Sequence, residues 1–175
     1  MADTQASTMP GMTHTPCTTR DPALVDHPAL TLLSDCPTRE QIESLGAFLE
    51  SIEGGHPAPD ISTAHYFVGE VYGRSVTIPA ETFLVGLPHK ADHLNVCVGD
   101  ITVWTERGRE RFTGAHVVKG RAGQMRVGFA HADTTWLSVH ANHTGGEDLA
   151  AIEASLIENP DRLLSRRRSA LECAR

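Results

Sequence analysis

Short apolar runs separated by turn-forming residues fill the sequence between residues 66 and 139. The runs cover residues 66–71, 74–78, 82–87, 94–98, 101–105, 116–118, 124–129 and 134–139. The turn signals between them are Tyr72-Gly73, Pro79-Ala80, Gly99-Asp100, Arg107-Gly108, Gly114, Gly120 and Gly123. The connections are too short for helical crossovers, so the strands should pair mainly antiparallel. Many short strands at near-regular spacing therefore predict a mainly β fold, a sandwich or a small barrel, over residues 61–143.

One amphipathic helix is predicted before the sheet, within residues 37–55. Thr38 and Gln41 form a capping box at its start. Apolar side chains then follow at helical spacing, at Ile42, Leu45, Leu49 and Ile52. Gly54-Gly55 is predicted to end this helix. Residues 1–36 are rich in Thr, Pro, Ala and Ser, which predicts a disordered or irregular segment.

The last part of the chain, residues 144–175, is predicted to be helical. Thr144 and Glu147 match a second capping box, and Leu149, Ile152 and Leu156 follow at helical spacing. Three consecutive arginines at 166–168 are interpreted as a solvated helix face, with an anion or partner site as the alternative.

The composition narrows the classes of function. The net charge of −7 argues against generic nucleic-acid binding. No apolar run approaches the ~18 residues of a membrane span, and the N-terminus lacks the pattern of a signal peptide. The four cysteines lack Cys-x-x-Cys spacing, so we interpret them as free thiols, with Cys97 buried. These features predict a cytoplasmic protein without a membrane segment.

A histidine pair marks the candidate chemical centre. His89 and His93 stand before an apolar run, and most of the remaining histidines follow them. On a straight strand this pair would lie about 13 Å apart. The two side chains could share a metal ion only if residues 90–92 turn or bulge. The alternative is a pair of hydrogen-bonded histidines at the rim of the barrel.

Two stretches resemble the conserved motifs of the cupin superfamily. Residues 78–80 (Ile-Pro-Ala), the histidine pair and residues 99–103 (Gly-Asp-Ile-Thr-Val) look like the first motif. Residues 121–126 (Arg-Ala-Gly-Gln-Met-Arg) look like the second. Residues 87–95, 103–106, 126–134 and 136–140 are also similar to small cupin-like proteins encoded by phages and prophages, whose activities are not established. The resemblance spans residues 61–157 and implies a jelly-roll type of β-barrel that forms a homodimer, through the N-terminal helix or the C-terminal segment.

The resemblance also implies a metal site, with departures from the family pattern. The family carries a His-x-His pair, a downstream Glu and a second-motif His. Here the histidines are four apart, no Glu follows before Gly99, and Arg126 replaces the second-motif histidine. His131 or His140 could complete a changed set with His89 and His93. Imidazole ligands favour zinc, iron, nickel or copper.

Arg126 and Trp136 are the candidate ligand-binding residues. A guanidinium pointing into the barrel would bind a carboxylate or phosphate through two N–H groups. The alternative for Arg126 is an internal ion pair with Asp92, Glu106 or Asp133. Trp136 is expected either to pack in the core or to stack on a ligand.

Two classes of function follow from this site. One is a metal-dependent enzyme of undetermined reaction. The other is a non-catalytic barrel that binds or senses an anionic small molecule through Arg126 and the histidines.

Overall fold

The structure is a computed structural model that describes residues 33–53 and 61–163. Several predictions fall outside the described residues. They concern most of the N-terminal segment, the Gly54-Gly55 helix stop and the arginines at 166–168. No helix in the described ranges has the length and apolar character needed to cross a membrane.

The described chain is mainly antiparallel β, as predicted. Its elements in order are α1 (Arg39–Glu53), β1 (Ser62–Val68), β2 (Val71–Ile78), β3 (Thr82–Gly86), β4 (His93–Thr105), β5 (Gly108–Gly120), β6 (Arg126–Ala141) and α2 (Leu149–Leu156). A 3-10 turn over Pro160–Arg162 follows α2.

The six strands form one sheet in the order β1-β2-β6-β4-β5, and β3 pairs with the first part of β6. All of these pairs are antiparallel. Strand β6 is the centre, because it pairs with β2, β3 and β4 along its length. No pairing joins β1 to β5 within the described residues, so the sheet is open there. Its inner face holds the main core, formed by Ile61, Val76, Ile78, Cys97, Ile101, Val103, Phe112, Ala130 and Trp136.

The predicted break at Gly99-Asp100 is wrong, because β4 continues through it as a β-bulge. The register against β6 shifts between Val98 and Ile101. Gly99 has a φ of 144°, which favours glycine, and a Cβ there would overlap Thr134. Asp100 N donates to Thr134 Oγ1 at 3.1 Å, which satisfies a backbone group freed by the bulge. The predicted runs at 124–129 and 134–139 are likewise joined, in β6. With these two joins the eight predicted runs become six strands, three of them long.

The first hairpin turn also differs from the prediction. It lies at Gly69-Glu70, and Tyr72-Gly73 continues β2. Tyr72 is 2% exposed and packs against α2, so its burial overrides the local turn signal. A Cβ at Gly73 would meet Leu137 at 3.4 Å and Tyr66 at 3.5 Å, which are ordinary contact distances, so Gly73 fits within the strand.

The helix α1 covers the outer face of β3, β4 and β6. The predicted capping box is confirmed: Thr38 N donates to Gln41 Oε1 at 2.9 Å, and Gln41 N donates to Thr38 Oγ1 at 3.3 Å. The apolar face packs Ile42 and Leu45 against Trp104, Met125, Val127 and Phe129. Each fully buried aliphatic side chain contributes about 1.5–3 kcal/mol. The apolar face of α1 is therefore used within the chain.

The helix α2 begins later than the predicted Thr144–Glu147 capping box. Its N-cap is Asp148, whose carboxylate accepts hydrogen bonds from Ala150 N and Ala151 N. The Thr144 hydroxyl donates to Asn142 Oδ1 at 2.7 Å instead, so it stabilises the preceding loop. The capping-box prediction at Thr144 is wrong, because Asp148 caps the helix and Thr144 lies four residues before it, in the loop.

Candidate metal centre and adjoining cavity

The segment before β4 bends between the two histidines of the sequence pair. Its backbone is held against the end of α2, because Glu158 N donates to Pro88 O at 2.9 Å and Lys90 N donates to Leu156 O at 2.8 Å. The chain then bends at residues 90–91 before entering β4 at His93. The His89 and His93 rings stack with centroids 4.1 Å apart. The bend that a shared site requires is therefore present.

His140 of β6 completes a cluster with this pair, which we call the histidine cluster (His89, His93 and His140). Its Nε2 lies 2.8 Å from His89 Nδ1, so the two rings share a hydrogen bond. Its ring centroid lies 4.7 Å from that of His89 and 4.5 Å from that of His93. One ligand atom from each of the three side chains lies within 4.8 Å of the others. His140 is 6% exposed and His93 is 7% exposed, so the cluster is largely shielded from solvent.

The His93 ring is oriented by its backbone neighbour. Its Nδ1 lies 3.0 Å from Ala91 O. A carbonyl can only accept, so Nδ1 carries the proton and the Nε2 lone pair of the neutral ring is free to accept. Arg126 Nη2 lies 3.4 Å from this Nε2 and donates to it weakly. A hydrogen bond on the far nitrogen that fixes the ring is typical of histidines that bind metals.

Burial keeps the histidine cluster neutral. It lowers the pKa of His89 to about 2, with further lowering by His93, His140, Arg126 and Arg74. It lowers the pKa of His140 to about 4, helped by His93 and Arg126. The pKa of His93 is also lowered, mainly by burial, although the bond to Ala91 O opposes this. Neutral imidazole is the form that binds a metal, so the three rings are in the ligand state near neutral pH.

His131 does not belong to the histidine cluster. Its Nε2 shares a hydrogen bond of 2.8 Å with Thr102 Oγ1, and its ring packs edge-on against Phe129. The sequence left His131 and His140 as alternatives, and the structure brings only His140 to the pair. His116 and His143 are exposed and also lie outside the cluster.

Arg126 is a partly buried cation without a carboxylate partner in the described chain. The alternative ion pairs are absent there: Asp92 pairs with Lys119 at 2.9 Å, and Asp133 accepts from Ala80 N at 2.9 Å. Burial lowers the pKa of Arg126 to about 10, so the side chain remains charged near neutral pH. Its guanidinium carbon lies 5.5 Å from the ring centroid of Trp136, which is a cation–π contact. The Trp136 indole therefore contacts the Arg126 guanidinium.

A cavity of about 310 Å³ adjoins the histidine cluster on the inner face of the sheet. Its lining includes His89, Arg126 and Trp136, together with two arginines that were not among the predicted site residues, Arg74 and Arg162. The remaining lining is mostly aliphatic, with Ile61, Val76, Ile78, Leu84, Ile101 and Val103 among its members. Strand parity could have found Arg74, because it lies two residues from Tyr72 and from Val76 and so shares the inward face of β2 with them and with Ile78.

Fold and site together define an antiparallel β protein with a three-histidine cluster beside an arginine-lined cavity. No family model matches the chain, and no curated protein matches it. The solved structures to which it is similar include cupins.

KdgF from a Halomonas species is 13% identical, over 50% of this chain and 85% of that one, with a TM-score of 0.42. An RmlC-like cupin family protein with a double-stranded β-helix fold, from Methanocaldococcus jannaschii, is 11% identical. That match covers 50% of this chain and 85% of the other, with a TM-score of 0.41. The Clostridium difficile EutQ protein is 13% identical, over 50% of this chain and 72% of that one, with a TM-score of 0.41. At TM-scores below 0.5, these similarities transfer no function to this chain.

Proposed function

We propose that this protein binds one divalent transition metal ion through His89, His93 and His140. The observation that carries the proposal is the convergence of three imidazoles whose ligand atoms lie within 4.8 Å of one another. Imidazole nitrogen favours zinc, iron, nickel or copper over magnesium or calcium.

The distances in the histidine cluster fit a metal ion. Two nitrogens about 2.1 Å from one ion lie about 3.0 Å apart at a right angle and about 3.4 Å apart in a tetrahedron. The 2.8 Å between His89 Nδ1 and His140 Nε2 is close to the first value, so small ring rotations would suffice. Ala91 O already holds the other nitrogen of His93, as a supporting partner of a metal ligand should.

Three protein ligands leave coordination positions for water or a small molecule. A bound ion would supply Lewis acidity and would make a bound water more acidic. The chain's own residues would exclude solvent from the cluster and present the Arg126 guanidinium beside it. This arrangement serves either a metal-dependent enzyme or a metal-assisted binding protein.

The direct test is metal analysis of protein purified without a His-tag. After incubation with Zn²⁺, Fe²⁺, Ni²⁺ or Cu²⁺ and dialysis, the wild type should retain about one ion per chain with at least one of these metals. His140→Ala should lose most of this metal, because two imidazoles hold an ion far less well than three. His143→Ala is the matched control, because His143 is exposed and lies outside the cluster.

A metal-free binding barrel is the second candidate. The observation that favours it is the hydrogen bond between His89 and His140, which satisfies two buried nitrogens without an ion. Substoichiometric metal that dialysis removes from the wild type, with every metal offered, would support this candidate and contradict the first.

We also propose that the chain is a cupin-like protein of phage or prophage type that acts in the cytoplasm as a homodimer. The sequence motifs support the resemblance to phage and prophage proteins. The scattered cysteines support a location in the cytoplasm. The dimer is supported by an outer apolar face, formed by Tyr66, Val68, Leu94, Val98 and Val117, which are 46–73% exposed. These side chains lie on the sheet face opposite the core, beyond the part that α1 covers. In a two-fold symmetric dimer the same patch of each subunit contacts its copy, so this apolar face would be buried against the same face of a second chain.

A further inference from the structure

We infer that the cavity binds an organic acid with an apolar body, whose carboxylate is held by Arg74 and Arg126. This inference rests on the proposed function in taking the cavity beside the histidine cluster as the ligand site. It extends that function by naming the chemical class of the ligand and by adding Arg74 to the site.

Arg74 presents an unsatisfied donor within the inner face. Its Nε is buried and has no hydrogen-bond partner among the described residues. Burial lowers the pKa of its guanidinium, and the Glu153 carboxylate on α2 acts on it through charge in the opposite direction. A buried N–H left without an acceptor is unfavourable, because it has lost its hydrogen bond to water. An acceptor oxygen from a ligand would remove that cost.

The guanidinium of Arg126, on β6, also lacks a strong hydrogen-bond acceptor among the described residues. Its polar contact is the 3.4 Å approach to His93 Nε2, which is too long for a strong hydrogen bond. If that lone pair is committed to a metal ion, the guanidinium requires another acceptor. A carboxylate supplies two oxygens in the plane that matches the two N–H groups of an arginine fork.

Two of the arginines that line the cavity, Arg74 and Arg126, lie near the histidine cluster. Arg74 and Arg126 both line the cavity together with His89. Both charges also act on the His89 ring, which agrees with their positions beside it. A third arginine, Arg162, also lines the cavity, and no acidic residue is among the described residues of the lining. The cavity therefore favours an anionic head group, which Arg74 and Arg126 would bind beside the cluster.

The rest of the cavity favours an apolar body for the ligand. Its wall includes Val76, Ile78, Leu84, Ile101 and Val103, and the indole of Trp136 flanks the arginine. A sugar or a bare phosphate would leave its hydroxyl or phosphoryl oxygens against aliphatic side chains, which is unfavourable. A monocarboxylate with an alkyl or aryl chain satisfies both parts of the cavity.

The test compares 4-phenylbutyrate with its uncharged amide by isothermal titration calorimetry. The wild type should bind the acid at least about tenfold more tightly, because charge-assisted hydrogen bonds are stronger than those to a neutral amide. Arg74→Met and Arg126→Met should each reduce the ratio of acid to amide affinity toward one. Arg121→Met is the control and should leave the ratio unchanged, since Arg121 is exposed and lies outside the cavity lining.

The metal content of each sample is measured in parallel, so the two proposals can fail separately. A preference for the acid in protein that holds no metal would support the anion site while contradicting the metal centre. Equal affinity for acid and amide, or no binding of the acid at millimolar concentration, would overturn the anion site whatever the metal content. If an arginine variant does not fold, the comparison within the wild type and the Arg74→Lys variant still decide the matter. The lysine keeps the charge but loses the fork, so part of the preference should remain.

Discussion

Asn95 is a buried polar residue on β4, two residues from His93. Its side chain is fully buried between the two strands that carry His93 and His140. Asn95 Oδ1 accepts from Trp136 Nε1 at 3.0 Å and from Ser138 Oγ at 2.8 Å. The indole that flanks Arg126 is thus positioned by a buried amide.

Replacing the Asn95 amide should lower the stability of the fold, because the Trp136 and Ser138 donors would lose their acceptor. Asn95→Leu removes the acceptor of two inward-facing donors, and we expect a loss of about 3 kcal/mol in the free energy of unfolding. Urea denaturation measures this loss. In a double-mutant cycle with Trp136→Phe, the combined loss should be smaller than the sum, because one hydrogen bond is counted in both single variants. Strict additivity would show that the bond contributes little.

At the scale of the element, the end of β5 fits the position of His93. Gly120 is the register partner of His93, and a Cβ on Gly120 would overlap the imidazole and approach the Asn95 amide. The close approach of the His93 ring requires glycine at position 120. The backbone of Gly120 does not require it, because its φ is not positive.

The variant Gly120→Ala should therefore move His93 and weaken metal binding. We expect the metal retained after dialysis to fall well below one ion per chain, with a smaller effect on the melting temperature. Gly146→Ala is the matched control, because a Cβ at Gly146 meets open space. Full metal retention by Gly120→Ala would show that His93 is not a ligand or that its ring moves freely.

At the scale of the whole molecule, the buried histidines make stability depend on pH. Their folded pKa values lie below the unfolded value near ~6.5, at about 2 for His89 and about 4 for His140. The unfolded chain therefore binds more protons below pH ~6.5, and the free energy of unfolding falls as the pH is lowered. For His140 this loss continues to about pH 4, and for His89 to about pH 2.

We expect the metal-free protein to lose about 1.4 kcal/mol per pH unit for each of these histidines once the pH is well below ~6.5. Urea midpoints measured with a chelator between pH 7 and pH 4.5 test this slope. His140→Gln should reduce it, whereas His143→Gln should leave it unchanged. A stability that does not vary over this range would contradict the burial of the histidine cluster.

The outer apolar face predicts that the protein forms a dimer in solution. Light scattering after size exclusion should give the mass of a dimer for the wild type. Val117→Lys should shift it toward the monomer, because a charge would be buried in an apolar contact. Glu110→Lys is the control, since Glu110 is exposed on the same strand away from this face. A monomeric wild type at micromolar concentration would contradict the dimer.

Much of the fold could be predicted from local sequence because alternation and capping are local properties. The β character, the α1 helix and its capping box depend on residues a few positions apart. The joins between runs could not be predicted in the same way. Gly99 and Tyr72-Gly73 carry turn signals, but Thr134 and α2 hold them within strands through partners distant in the sequence.

In the candidate site, too, some residues could be selected from the sequence and others were found only in the folded structure. The sequence alone selected His89, His93 and Arg126, because residue type and motif position are visible in one dimension. Only the tertiary structure placed His140, and not His131, beside the histidine pair, since this depends on which β6 side chains face the core. It also added Arg74 and left Arg126 without a described carboxylate partner. Burial and pairing arise when β2, β4 and β6 come together, and no single stretch of the sequence contains those contacts.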